Sequence, residues 1–271
     1  MNQIAISFTL LSIIIAAASL ASYFSKLKKN QTPEHPIGLA TALPISIALG
    51  VYAVFSSSSS LVTFVTTLSV SLLILISAIL LFFLVQKRTP LGKLKVKVGD
   101  NILPFTTDDF TGNIFNSEVL KGKKMLLKFY RGSWCPYCNA ELKMMSNMKP
   151  ELDAYGVSVF ALSGDTTAQV QAHIKRDNLN ISLLSDPELA VVKQYGVEHQ
   201  KAVGWESNNI KTIFGISMSF SMFTYRSMSI PTSILIDENG IIKWIDQSKD
   251  YRIRASHENL MAVIKDNFIL S

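Results

Sequence analysis

The chain has 271 residues, 48% of them hydrophobic and 17% charged, with a mean hydropathy of +0.28. An ordinary soluble domain carries about 25% charged residues, and an apolar content this high excludes disorder for most of the chain. Residues 1–98 hold eight basic side chains and one acid, Glu34 (net +7), whereas residues 99–271 hold 18 basic and 19 acidic ones (net −1). The basic balance therefore belongs to the first third, and a broad basic nucleic-acid face on the remainder is excluded.

Three uncharged apolar stretches fill the first third: 4–24, 37–55 and 61–85. At about 1.5 Å per residue they reach about 28–38 Å, enough for a hydrocarbon core of about 30 Å. They are expected to be transmembrane helices, so that residues 1–85 form a membrane anchor in a lipid bilayer. No Asp, Glu, Lys, Arg or His interrupts them, which leaves an ion or proton relay without candidate residues. Pro44 and the hydroxyls Thr63, Thr66, Thr67, Ser69 and Ser71 read as packing features. Lys26, Lys28 and Lys29 follow the first stretch, and Lys87 and Arg88 follow the third. Positive flanks stay in the cytoplasm, so the expectation is an outside N-terminus, three spans and a cytoplasmic remainder. Ser19-Leu20-Ala21 is a passable signal-peptide cleavage site, but the basic leader of a signal peptide is missing.

Residues 86–98, with Pro90 and Gly92, read as a basic linker, and 99–271 as one domain of strands alternating with helices. Strands are expected at 125–130, 157–162, 181–184, 234–236 and 241–245, the last two joined by the turn Asp237-Glu238-Asn239-Gly240. Helices are expected at 136–153, 166–177 and 254–268, and another opening with Asp186 as N-cap and Pro187 in its first turn. The order predicts an α/β fold around a mixed sheet.

Both cysteines lie in FYRGSWCPYC, as Cys135 and Cys138, where a strand turns into a helix. Unpaired N–H groups and the helix dipole stabilise a thiolate at that place, and Arg131 adds positive charge. A thiol of pKa about 8.5 is about 3% ionised at pH 7, and one near 7 is about half ionised. Because nucleophilicity falls with basicity at a slope of about 0.4–0.5, the net rate gain is only a few-fold. A zinc site needs two more ligands, and His173, His199 and His257 show no ligand spacing, so no metal or cofactor is expected.

Trp134-Cys135-Pro136-Tyr137-Cys138 after a strand resembles the thioredoxin superfamily, and Ile230-Pro231-Thr232 resembles its cis-proline step. Three longer segments are similar to peroxiredoxins of the AhpC/TSA type: VGDNILPFTTDDFTGNIFNSEVLKGKKMLLKFYRG, SGDTTAQVQAHIKRDNLNISLLSDPELAVVKQYGV and PTSILIDENGIIKW. The likeness covers about 98–265 except 198–228. It implies a thioredoxin-like fold, a Cys-x-x-Cys dithiol/disulfide cycle acting on a hydroperoxide or a protein disulfide, and an external thiol donor such as a thioredoxin. Two assignments stay open. Counted without a gap from Phe129-Tyr130, Cys138 takes the peroxidatic place and Cys135 that of the family's Thr; the thioredoxin pattern makes Cys135 the attacking thiol and Cys138 the resolver. The family's arginine place is occupied by Pro231, with Arg131 or Arg226 as substitutes. Trp134, Pro231 and Thr232 are the supporting residues the resemblance implies. Glutaredoxin's Gly-Gly-Asp step after the cis-proline is absent, so glutathione binding is not expected. Beside the peroxidase and disulfide-reductase readings stands a third, a tethered interaction module with non-catalytic thiols. Residues 198–229, with Trp205, Phe214, Met218, Phe220, Met222 and Phe223, read as a packed insertion, or as a cover for the thiols or a contact to the membrane surface. Trp205 and Trp244 read as packing aromatics.

Overall fold

The structure is a computed structural model and describes residues 2–91, 93–213 and 215–270; Gly92 of the expected linker and Phe214 of the expected insertion lie outside the described residues. The chain divides into two compact units. One holds the chain through Leu27 together with Thr32–Lys87, the other Lys28–Gln31 and the chain from Arg88 onward.

The first unit consists of α1 (Asn2–Lys28), α2 (Ile37–Phe55) and α3 (Ser60–Val85). All three are long and apolar enough to cross a membrane. Small residues let their backbones approach. A Cβ on Gly50 would stand 2.5 Å from Val70 Cγ2, and Ser12 Oγ donates to Ser46 O at 2.6 Å. Thr9 Oγ1 donates to Thr66 Oγ1 at 3.3 Å, while Thr63, Thr66 and Ser69 donate to carbonyls of their own helix. Pro44 lies inside α2, and the helix continues through it.

The second unit is built on a seven-stranded sheet. Its strands are β1 (Thr106–Asp109), β2 (Ile114–Asn116), β3 (Lys124–Phe129), β4 (Val157–Ser163), β5 (Ser182–Ser185), β10 (Thr232–Ile236) and β11 (Ile242–Gln247), in the order β11-β10-β3-β4-β5-β1-β2. β3, β4 and β5 run parallel, and the remaining pairings are antiparallel. Strand parity sorts β3. Leu126 and Tyr130 join the core under α4 (Pro136–Asn147), α5 (Lys149–Ala154), α6 (Thr167–Asp177) and α8 (His257–Asn267). Met125, Leu127 and Phe129 face the opposite core, which α7 (Ala190–Tyr195) and the extended stretch around Val96 and Phe105 complete. By the same parity Lys128, in the middle of this apolar run, points to the α4 side. α6 starts with a capping box in which Thr166 and Gln169 bond each other's backbone N–H.

Four expectations change. The helix expected over 136–153 is two helices, α4 and α5, meeting at Met148. Asp186 is not an N-cap: Leu189, at φ 55°, holds that place in α7, and the Asp186 carboxylate reaches past the turn to accept N–H from Ala190 (2.8 Å) and Val192 (3.0 Å). The basic segment after the third helix packs into the second unit from Arg88 on, where Arg88 bridges to Asp250 and the Lys95 N–H donates to Tyr195 O at 3.2 Å. No cis peptide bond occurs among the described residues, so Ile230–Pro231 is trans. Trans is the ordinary state even before proline, and the step is held by Ile230 N–H on Val197 O and Ser248 N–H on Pro231 O.

The insertion is a β-ribbon. β6 (Glu198–Trp205) pairs with β9 (Phe223–Ser229), and between them β7 (Ile210–Ile213) pairs with β8 (Ile216–Ser219). Neither pair joins the seven-stranded sheet.

Candidate active site

β3 ends at Phe129, and the chain turns through Gly132 into α4. Gly132 adopts φ 148°, and a Cβ there would stand 2.5 Å from Trp134 Nε1, so glycine is what lets this turn close. Cys135 is the N-cap of α4, Pro136 occupies the first turn, and Cys138 follows one turn in. Both thiols are free and fully buried, Cys135 1% and Cys138 0% exposed.

The two sulfurs share a hydrogen bond that separates their acidities. At Cys138 burial opposes ionisation, but the bond received from Cys135, the Arg254 charge and the Arg131 backbone N–H outweigh it and bring the thiol down to about 6; Glu141 works against them. At Cys135 burial and the same bond, given rather than received, push the thiol well above its usual range. Of the two, Cys138 is the one whose surroundings favour ionisation, and it holds the place of the ungapped count. Capping does not ionise Cys135, because its side chain accepts no bond from the helix N–H groups.

Beneath Cys138 lies a buried ion cluster. Arg254 Nη2 is 3.6 Å from Cys138 Sγ, and Arg254 Nε pairs with Glu141 Oε2 at 2.8 Å. Glu141 Oε1 stands 2.6 Å from Lys128 Nζ, which also donates to Ser233 Oγ at 3.0 Å. Burial works against the Arg254 charge, but Glu141 and the two sulfurs hold it firmly protonated. One signal for Glu141 was present in the sequence: it stands three residues after Cys138 and shares its helix face. Lys128 was hidden in an apolar run. Arg254 arrives from an irregular turn after β11, held by Asp250, which accepts from the Arg252 backbone and guanidinium. Nothing in spacing or pattern ties that turn to the cysteines.

The expected supporting residues surround this centre in other roles. Arg131 is buried, donates to Val203 O at 2.5 Å and Met228 Sδ at 3.1 Å, and lies over the rings of Trp134 (5.0 Å) and Tyr251 (4.4 Å). Its charge reaches Cys135, but its guanidinium is held by the ribbon. Arg226 donates to Trp205 O and lies over Trp134 at 5.5 Å. Neither is the arginine at the Cys138 sulfur; that is Arg254. Trp134 is 1% exposed and tilts against Trp205 at 5.5 Å, so Trp205 belongs to the surroundings of the site, whereas Trp244 packs against the core. Pro231 is buried, and Thr232, also buried, pairs with Phe129 at the end of β3 and donates to Ile230 O at 2.9 Å. Of the histidines, buried His173 faces Asp177 at 3.2 Å, His257 pairs with Glu151, and His199 on β6 is lowered to about 4 by burial and the Arg131 charge. Among the described residues no three His, Cys, Asp or Glu side chains gather as a metal group.

The model of the AhpC/TSA family matches residues 98–245. The chain is 30% identical over 149 residues to a "putative peroxiredoxin bcp" of Coxiella burnetii, a match covering 55% of this chain and 87% of that protein. It is also 30% identical over 104 residues to the "thiol-disulfide oxidoreductase ResA" of Bacillus thuringiensis subsp. konkukian, covering 38% of this chain and 60% of ResA. The solved structure of reduced Prx3 from Vibrio vulnificus superposes with a TM-score of 0.51 at 19% identity, over 63% of this chain and 99% of that one. That likeness speaks for the thioredoxin-like fold.

Proposed function

Since this chain belongs to the AhpC/TSA family, we propose that it is a membrane-anchored hydroperoxide reductase in which Cys138 attacks and Cys135 resolves. The protein is a thiol oxidoreductase, a thiol-dependent peroxidase or disulfide reductase, with a thioredoxin-like domain. The observation that carries the finer reading is the Cys138 sulfur, held between the Cys135 thiol and the Arg254 guanidinium.

The Cys138 thiolate attacks one peroxide oxygen; the S–O bond forms as the O–O bond breaks, and the leaving alkoxide takes a proton to become an alcohol or water. Cys138 is now a sulfenic acid. The Cys135 thiol loses its proton and attacks the Cys138 sulfur, the S–S bond forms, and hydroxide leaves as water. An external dithiol then reduces the Cys135–Cys138 disulfide and is itself oxidised. Arg254 stabilises the attacking thiolate and, once the peroxide has entered, stands where charge develops on the leaving oxygen. Glu141 and Lys128 hold Arg254 in register.

The three apolar helices cross the bilayer in this reading, with the N-terminus outside and the redox domain in the cytoplasm, supported by the lysines after the first helix and Lys87-Arg88 after the third. Residues 1–85 are the anchor and the chain from 99 is the redox domain. The second reading, a protein disulfide reductase, is favoured by the ResA similarity.

Steady-state turnover of the reduced full chain with a hydroperoxide against turnover with a protein disulfide separates the two; faster disulfide turnover overturns the first. Labelling of the thiols in intact and permeabilised cells tests the topology: reaction in intact cells with an impermeant reagent places the domain outside.

A further inference from the structure

We propose that in the reduced protein the β6–β9 ribbon is the specificity element of this site, a size filter that keeps protein disulfides from the Cys135–Cys138 dithiol and leaves it open to small hydroperoxides. The inference rests on the redox reading above and names its substrate class. The thiols cannot react as the structure stands, because both sulfur-bearing residues are at most 1% exposed. Something must move, and the ribbon is the element that packs on Trp134 and Arg131, beside Cys135. Trp205 lies against Trp134, the residue before Cys135, and Ala202 and Met228 share a core cluster with both cysteines. Gly204 allows close approach there: a Cβ would stand 2.7 Å from Met228 Cε, 3.0 Å from Arg226 Nε and 3.3 Å from Trp134 Cζ2.

The ribbon is attached in a way that allows it to lift. Its strands pair with each other and not with the seven-stranded sheet, so opening breaks no rung of that sheet. Its base is tied where Ile230 N–H donates to Val197 O at 2.7 Å. Beyond that base, polar contacts to the body recur at a few points: Arg131 on Val203 O, Ser207 Oγ on Asp165 Oδ1 (2.9 Å), Asn139 Nδ2 on Ser217 O (2.8 Å) and Ser217 Oγ on Asp177 Oδ1 (2.6 Å). Each of these bonds is replaceable by water on opening. A hydroperoxide of a few heavy atoms needs only small side-chain excursions and no displacement of the ribbon. A protein disulfide must bring its own backbone to the sulfurs and needs the whole ribbon displaced, a rarer local opening.

The test uses the reduced full-length chain in detergent micelles, with hydrogen peroxide, the small disulfide of 2-mercaptoethanol, and insulin as the protein disulfide. Trp205→Ala and the double variant Ser207→Ala/Ser217→Ala are expected to raise the insulin rate about tenfold or more relative to the small disulfide, with the peroxide rate within about twofold. Trp205→Phe keeps the ring contact and is expected to behave as the native chain. In parallel, Cys138 alkylation by iodoacetamide and by a polyethylene-glycol maleimide, each scaled to the urea-unfolded chain, reads the filter without catalysis. Equal scaled rates for small and large reagents in the native chain, or a ratio unmoved by both loosening variants, overturns the filter. If peroxide and disulfides all fail to oxidise the thiols while the alkylation ratio follows the variants, the redox reading falls and the filter stands.

Discussion

In the helical unit Ile14, Phe64, Leu68 and Leu75 face outward, each more than half exposed, while Ser12, Ser46 and Thr66 are buried between helices. In the redox domain the arrangement inverts: Lys128, Glu141 and the Arg254 side chain are buried, within an apolar core that also holds both cysteines. The first pattern suits a hydrocarbon solvent, in which apolar surface costs nothing and hydroxyls find partners inside. The second runs against ordinary stability. A buried ion pair regains little more than the desolvation it costs; here Arg254 favours the thiolate, and Glu141 and Lys128 compensate its buried charge. Polarity is turned inward in both units, in one between packed helices and in the other beside a buried thiol.

The sharpest way to break this contrast is at the sulfurs. Cys138→Ser is expected to abolish hydroperoxide consumption, whereas Cys135→Ser keeps one stoichiometric turnover and stops at the sulfenic acid, followed by rapid mixing. The reverse pattern would move the attack to Cys135. Next comes the ion cluster. Glu141→Gln strands Lys128 and is expected to cost about 3–5 kcal/mol, read as a lowered melting midpoint of the solubilised protein. The helical unit is tested by a charge on its outer face. Leu72→Arg near the middle of α3 is expected to cost about 2.5–3.5 kcal/mol of insertion, read as the fraction of chains resisting alkaline extraction; a water-exposed helix would tolerate it.

A finer test follows the acidity of Cys138. Only the thiolate is alkylated, so the native rate is expected to climb with pH through a midpoint of about 6 and then level off. Arg254→Ala removes a charge that favours the thiolate, so the midpoint moves up toward the ordinary value of about 8.5, and the variant's rate still climbs at pH 8. At pH 7 the loss is only a few-fold, because the more basic sulfur is intrinsically more nucleophilic. The smallest effect is expected from Asp186→Ala, which removes the carboxylate holding the Ala190 and Val192 N–H groups and costs about 0.5–2 kcal/mol by analogy with helix caps.

Much of this was readable along the chain. Uninterrupted apolar runs marked the three long helices because a span needs length and the absence of charge, both one-dimensional properties. Alternating strand and helix patterns carried the domain class and placed Cys135 and Cys138 at a strand-to-helix turn, since capping and periodicity act between near neighbours. The charge that stands at the Cys138 sulfur was set by the fold. Arg254 lies 116 residues from Cys138, and Lys128 was masked by the apolar strand around it. The closing of the 198–229 ribbon over Trp134 was likewise a tertiary matter, because its pairing of Trp205 with Phe223 depends on register and not on spacing. Local periodicity writes elements into a sequence, but the field at a buried sulfur sums charges that only folding brings within a few ångströms.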